Sequence, residues 1–215
     1  MGRLGWMPQK RLMWKRNCEG MPVSREISAE MTPVAAAPQV WVWRAAVVLA
    51  GSLLVAVCGR LALPLVFTPV PLSLAPFAVL VIGLFAGPRL AAATLGAYLA
   101  EGAMGLPVFA PAATVGLAHL LGPTGGYLLA YPAAAALISV LYRRTSRGFA
   151  AAALSAGLGS LVIIGSGAWW LGILTHASAA TVVQMAVVPF LPGDVLKVVA
   201  AAGLAAGFKR LRRAA

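Results

Sequence analysis

The feature that most constrains the fold is a series of apolar stretches, each about as long as a bilayer is thick, between residues 44 and 209. A helix needs about 20 predominantly apolar residues to cross the hydrocarbon core. Six stretches meet this requirement: about 44–63, 72–88, 89–105, 122–142, 149–171 and 193–209. The second and third are separated by Gly87-Pro88-Arg89, which predicts a tight helical hairpin. The sequence therefore predicts an all-α integral membrane protein with six transmembrane helices.

The composition excludes an ordinary soluble domain. Hydrophobic residues make up 61% of the chain and charged residues only 10%, with a mean hydropathy of +0.90. Soluble domains carry about a quarter charged residues. Because this chain has too few polar groups to cover a globule in water, part of its surface must face lipid.

The basic residues predict the orientation of the helices. Nearly all of the 17 Lys and Arg fall on one side of the six-helix topology: up to Arg44, at Arg89, within 143–147 and within 209–213. Cytoplasmic loops carry such an excess, which predicts that both termini are cytoplasmic. Only Arg60 and Lys197 fall towards the outside. Since the charges flank apolar runs instead of covering one face of a module, the net charge of +12 does not indicate nucleic-acid binding.

The chain divides into a tail and a membrane domain. Residues 1–43 lack helical periodicity and the apolar core of a signal peptide, so we expect a disordered, basic cytoplasmic tail. Met21 and Met31 are alternative start sites, which would place part of this tail before the true start. Residues 44–210 form the predicted six-helix membrane domain.

The loops on the predicted outer side are rich in Pro and Gly, yet too apolar to be plainly solvated. They cover residues 64–71, 105–126 and 172–193. Irregular backbone at membrane depth persists only where it packs against protein or lines a cavity. We therefore expect these loops to fold over an outward-facing pocket, with a short helix within 177–188 across its mouth.

Asp194 and Lys197 are charged residues at the start of the last apolar stretch. Intramembrane charges are costly and indicate a partnered or functional site. Asp194 follows Pro192-Gly193, so capping of its helix is one explanation. Lys197 could reach the membrane surface, but its cation lies near the positive end of the helix dipole, which disfavours it. Capping would therefore explain Asp194 but not Lys197.

Glu101 and three aromatic residues are further candidates. Tyr98 and Glu101 are three residues apart and share a helix face. Glu101 lies either at the membrane surface or in a site. Tyr98, Phe109 and Tyr127 form either an interfacial aromatic belt or the walls of a ligand pocket. A small ligand with NH donors, a carboxylate and an apolar ring would match these groups.

Other patterns bear on partners and chemistry. Ala46-xxx-Ala50 allows close helix approach, either within the chain or to another membrane subunit.

The sequence has no P-loop, GxSxG, CxxC or HExxH motif, and His119 and His176 are isolated. We therefore expect neither an enzyme nor a metal site, although a membrane enzyme using Glu101 and Asp194 as an acid/base pair is the alternative from another class.

Three ordered motifs carry a family resemblance: GLPVFAP at 105–111, LGPTGGYLL at 121–129 and PFLPGDVLK at 189–197. With them, residues 44–210 resemble the BioY family, the biotin-specific substrate-binding S components of energy-coupling factor (ECF) transporters. The resemblance implies an S-component fold of six helices, an extracytoplasmic pocket, and a place in the inner (plasma) membrane of a prokaryote. It implies biotin uptake; an S component for another vitamin, such as thiamine or riboflavin, is the alternative.

The resemblance also implies site residues and partners. Asp194 and Lys197 match the Asp and Lys of the family's PGDxxK motif, which contact biotin. Glu101, Tyr98, Phe109 and Tyr127 would line the pocket, with no cofactor or metal. ECF systems add a transmembrane T component and two cytoplasmic ATPases, and Ala46 and Ala50 would dock the T component. Whether the chain works alone or with such a module is left open by the sequence.

Overall fold

The computed structural model describes residues 38–63, 65, 68–111 and 114–214. The expected tail lies outside the described residues up to position 37. Eight helices and two short strands follow one another in the described part: α1 Pro38–Arg60, β1 Ala62–Leu63, β2 Leu72–Ser73, α2 Ala75–Phe85, α3 Pro88–Ala103, α4 Leu117–Leu120, α5 Gly125–Arg143, α6 Phe149–Thr175, α7 Ala179–Ala186 and α8 Leu191–Ala214.

Four helices in the described part are long and apolar enough to cross a membrane: Gln39–Arg60, Gly125–Arg143, Phe149–Thr175 and Leu191–Arg212. The prediction of a mostly helical membrane protein is confirmed. The predicted span 72–88 is too long, because α2 has only 11 residues and measures about 16 Å, half of a hydrocarbon core. Its expected first residues instead form β2, which pairs antiparallel with β1.

The first helix begins before the predicted boundary at residue 44. It starts at Pro38, where a proline fits because a helix leaves its first N–H groups unpaired. Trp41 and Trp43 therefore belong to the helix, with both side chains exposed. In a bilayer this exposed surface faces lipid or another subunit.

Glycines set the spacing between α5 and its neighbours. A side chain at Gly159 of α6 would meet Ile138 at 2.3 Å, and one at Gly83 of α2 would meet the same Ile138 at 2.9 Å. Near the other end of α6, a side chain at Gly167 would meet the ring of Tyr127 at 2.3 Å. These close approaches place α5 at the centre of the bundle.

One end of the bundle gathers the basic loops and the carboxyl end of α8. Lys209 Nζ donates to Ser146 O at 2.6 Å, and Phe208 packs edge-on against Phe85 with ring centroids 5.4 Å apart. The guanidinium of Arg143 lies 3.3 Å from the position of a Cβ on Gly87. The turn between α2 and α3, the α5–α6 loop and the end of α8 therefore meet there.

The opposite end carries the short helices α4 and α7. The predicted short helix within 177–188 is confirmed as α7, whose N-cap Ser178 accepts a hydrogen bond from the Thr181 N–H at 3.3 Å. Tyr127 Oη of α5 donates to Ala186 O at 2.8 Å, and this bond fastens the end of α7 to the bundle.

Candidate binding site

A cavity lies at this second end of the bundle, between α3, α5, α6 and the start of α8. Its empty space amounts to about 670 Å³, including the part open to solvent. Aromatic side chains form much of its wall: Tyr98, Tyr127, Tyr131 and Phe190. Polar groups also face it: Ser73, His119, Thr124, Asp194 and Lys197. The mixture of apolar walls and few polar groups is typical of a site for a small amphipathic ligand.

Asp194 lies in the first turn of α8 and not before it. The Asp194 N–H donates to Phe190 O at 2.8 Å, so the helix has already begun at this residue. Its side chain does not cap the helix; Oδ2 accepts a hydrogen bond from Ser160 Oγ of α6. The capping explanation therefore does not hold, and the remaining carboxylate oxygen is an acceptor at the cavity wall.

Lys197 lies one turn further along α8 and also lines the cavity. Its Nζ donates to the carbonyl oxygen of Ser73, the last residue of β2, at 2.8 Å. Within the part of the chain that the structure describes, no carboxylate lies within ion-pairing distance of this ammonium. Since an ammonium has three donors, two remain for a ligand.

The tyrosines of the wall are held by contacts behind them. Tyr98 is only 1% exposed, and its ring packs edge-on against Phe109 with centroids 5.3 Å apart. The same ring stacks on Tyr131 at 6.4 Å. Two of the predicted site residues, Tyr98 and Tyr127, thus lie at the cavity together with Asp194 and Lys197.

Two other predicted site residues are placed differently. Phe109 lies behind Tyr98 and stacks on His119 at 5.0 Å, but it is not among the described residues that line the cavity. Glu101 faces α1, where its carboxylate accepts a hydrogen bond from Ser52 Oγ. The three-residue spacing of Tyr98 and Glu101 was therefore insufficient to place both at the cavity.

Three residues at or beside the cavity were not predicted as site residues: Tyr131, His119 and Ser160. Tyr131 follows Tyr127 by one helical turn, a spacing that could have revealed it. Buried His119 has Nδ1 3.2 Å from Thr114 O, so Nδ1 carries the proton, and Nε2 lies 3.3 Å from the Thr124 hydroxyl. Ser160 gave no signal, because serine is common in membrane helices.

The predicted docking residues Ala46 and Ala50 both lie on the exposed side of α1. The opposite side of the helix approaches α3, where a side chain at Gly51 would meet Thr94 at 2.6 Å. The two alanines therefore do not pack within the chain, and their face is open to lipid or to a partner.

Comparisons with known proteins agree with this architecture. The chain is 40% identical over 129 residues to the "Probable biotin transporter BioY" of Pyrococcus horikoshii, covering 60% of this chain and 74% of the relative. It is 35% identical over 144 residues to the "Biotin transporter BioY" of Thermotoga maritima, covering 66% and 83%. It is 32% identical over 152 residues to the "Biotin transporter BioY2" of Lactococcus lactis subsp. cremoris, covering 69% and 80%.

A solved structure shares the fold. The crystal structure of the S-component for biotin from an ECF-type ABC transporter superposes with a TM-score of 0.73 at 26% identity, covering 80% of this chain and 93% of that one. The family model of the BioY family matches residues 29–214, which include all described helices. The chain belongs to the BioY family.

Proposed function

We propose that the chain is the biotin-binding S component of an ECF-type transporter and that it takes up biotin across the cell membrane. The observation that carries this function is the presence of both the Asp194 acceptor and the Lys197 ammonium in one tyrosine-walled cavity, in a chain of the BioY family. Its role is transport and not catalysis. With several apolar helices, it is a multi-pass protein of the cell membrane.

The chemistry of biotin matches the cavity. Its ureido ring offers N–H donors, which the free oxygen of Asp194 can accept, and its valerate carboxylate can pair with the Lys197 ammonium. The apolar part of the ligand would pack against Tyr98 and Tyr127. Phe109 and Glu101 would act from behind this wall, Phe109 by supporting Tyr98 and Glu101 by holding α1 through Ser52.

We further propose six helices in the membrane with both termini in the cytoplasm, of which α3 and the short α2, which does not cross the whole hydrocarbon core, complete the set. Support comes from the end of the bundle that gathers Arg143, Ser146 and Lys209, because cytoplasmic loops carry the excess of basic residues. The cavity lies at the opposite end and would open to the outside.

Partners would include lipid, a transmembrane T component and two cytoplasmic ATPase subunits. The sequence has no P-loop, so any ATP-driven step requires a separate ATPase. The exposed alanines Ala46 and Ala50 on α1 would allow a helix of the T component to approach closely.

The decisive experiment is a calorimetric titration of the purified full chain in lipid nanodiscs with biotin, with thiamine and with riboflavin. We expect nanomolar binding of biotin, about −12 kcal/mol, and no binding of the other two vitamins. Asp194→Asn should abolish nanomolar binding. Tight binding of thiamine or riboflavin in place of biotin would instead support the alternative, an S component for another vitamin.

A further inference from the structure

The described part of the chain contains two acidic residues, Glu101 and Asp194, and each accepts a hydrogen bond from a serine on a neighbouring helix. Glu101 takes its bond from Ser52, away from the cavity, whereas Asp194 takes its bond from Ser160 at the cavity wall. Of these two acidic residues, only Asp194 lines the cavity, so only its hydrogen bond bears directly on ligand recognition.

Ser160 lies deep in the bundle, next to the cavity but outside it. It is 2% exposed and is not among the described lining residues, whereas Ile163 and Ile164, one turn further along α6, are. Its hydroxyl therefore cannot reach a ligand except through Asp194.

The hydrogen bond fixes the direction of the carboxylate. A hydroxyl donates one proton, and this proton goes to Oδ2 of Asp194. With Oδ2 held by α6, Oδ1 is the oxygen left to accept from a donor in the cavity. An aspartate without this bond would be free to rotate about its terminal torsion, which has a broad minimum.

We propose that Ser160 is a positioning residue for ligand recognition: it holds the Asp194 carboxylate so that its second oxygen accepts an N–H of the bound ligand. This inference rests on the proposed function for the identity of the ligand, but the Ser160–Asp194 bond itself does not depend on it. Ser160 thus links ligand affinity to the packing of α6 against α8.

The test compares biotin affinities of the full chain in nanodiscs. Ser160→Ala should weaken binding roughly tenfold, as expected when a buried charged acceptor loses its donor, and Ser160→Thr, which keeps a hydroxyl, should restore most of the affinity. The matched control is Ser139→Ala: Ser139 is 1% exposed and also bonds across helices, to Ala86 O at 2.6 Å. This control should change affinity less than about twofold.

A double-mutant cycle separates positioning from general stability. In the Asp194→Asn background, Ser160→Ala should cause little further loss of affinity, because the bond it removes acts through the carboxylate. An equal loss in both backgrounds, an unchanged affinity in Ser160→Ala, or an equal loss in Ser139→Ala would each overturn the proposal.

An infrared measurement keeps this inference distinct from the proposed function. The carboxylate band that disappears in Asp194→Asn should shift in Ser160→Ala and stay in place in Ser139→Ala, with or without biotin. If the native chain binds no biotin, the proposed function fails, and the infrared shift still decides whether Ser160 positions Asp194; an unmoved band overturns that role.

Discussion

Lys197 Nζ donates a hydrogen bond of 2.8 Å to the carbonyl oxygen of Ser73, so a cation of the last long helix is held by the end of the β1–β2 hairpin. The same ammonium faces the cavity. A backbone carbonyl neutralises no charge, so the ammonium retains the capacity to pair with an anionic ligand group. This arrangement accounts for a cation at the unfavourable end of the helix dipole.

Lys197→Ala should weaken biotin binding at least about 30-fold, because truncation of one partner of a buried charge pair costs about 2–5 kcal/mol. The effect should vanish for biotin methyl ester, whose tail has no charge. Lys209→Ala is the matched control, since Lys209 also donates to a serine carbonyl, Ser146 O, but at the opposite end of the bundle. Calorimetric titration of the native chain, Lys197→Ala and Lys209→Ala with biotin and with its methyl ester measures these changes. Equal losses of affinity for the acid and the ester in Lys197→Ala would contradict the assignment of Lys197 to the ligand carboxylate.

Gly167→Ala should displace Tyr127, whose ring forms part of the cavity wall and packs on Gly167. A Cβ at Gly167 would lie 2.3 Å from the ring of Tyr127, so the tyrosine must move and its hydrogen bond to Ala186 O must weaken. We expect a loss of about 1–3 kcal/mol in the free energy of unfolding together with weaker biotin binding. Thermal unfolding and calorimetry measure the two effects.

Gly165→Ala provides the control on the same helix. Apart from the neighbouring backbone of its own helix, none of the described residues places an atom within 4 Å of its Cβ position. This variant should therefore bind biotin as the native chain does and be at least as stable, because Ala favours a helix over Gly by up to about 1 kcal/mol. A loss equal to that of Gly167→Ala would contradict the packing argument.

The sequence predicted those parts of the site that depend on rare residues. Charges in apolar stretches are few, so Asp194 and Lys197 were found without a structure. Ser160 was not, because Ser139, Ser155 and Ser160 look alike in sequence, and only the packing of α6 decides that Ser160 meets a carboxylate while Ser155 bonds its own backbone at Ala151. The orientation of Glu101 towards α1 was not predicted either, because it depends on how α1 and α3 pack against each other.

The fold was predictable to a similar degree. The length of an apolar stretch predicted most of the helices well, because each must cross the same bilayer. The short α2 was not foreseen, since residues 72 and 73 are apolar or small enough for a helix but pair with β1 instead. Such pairing between distant segments leaves no periodic pattern in either of them.

Glu101→Gln should affect stability more than ligand affinity. The Glu101 carboxylate holds Ser52 of α1, so its neutralisation weakens the attachment of that helix, whose other side is exposed. Because Gln keeps a neutral acceptor for the Ser52 hydroxyl, we expect a loss of about 1 kcal/mol in the free energy of unfolding and a change in biotin affinity below about threefold. Ser52→Ala should reproduce both results, and a loss of affinity as large as that of Asp194→Asn would return Glu101 to the ligand site.

The proposed topology predicts opposite accessibility for two single cysteines. In a chain with Cys18→Ser and Cys58→Ala, a cysteine at Ser146 should resist an impermeant maleimide in intact cells, because the α5–α6 loop would be cytoplasmic. A cysteine at Met104, which is 74% exposed near the cavity end, should react. Permeabilised cells control for reactivity, and labelling of the Ser146 position alone in intact cells would reverse the orientation.

Ala46→Trp should disrupt assembly without disturbing the cavity. Ala46 and Ala50 lie on the exposed side of α1, so a bulky side chain there fits beside lipid but blocks close approach of another helix. We expect biotin affinity to stay within about twofold of the native value, while co-purification with the T component and energised uptake are lost. Ala93→Trp, on the exposed side of α3, is the control and should retain both. If Ala46→Trp still assembles and drives uptake while Ala93→Trp does not, the docking face lies on α3; if both variants assemble, neither surface contacts the T component.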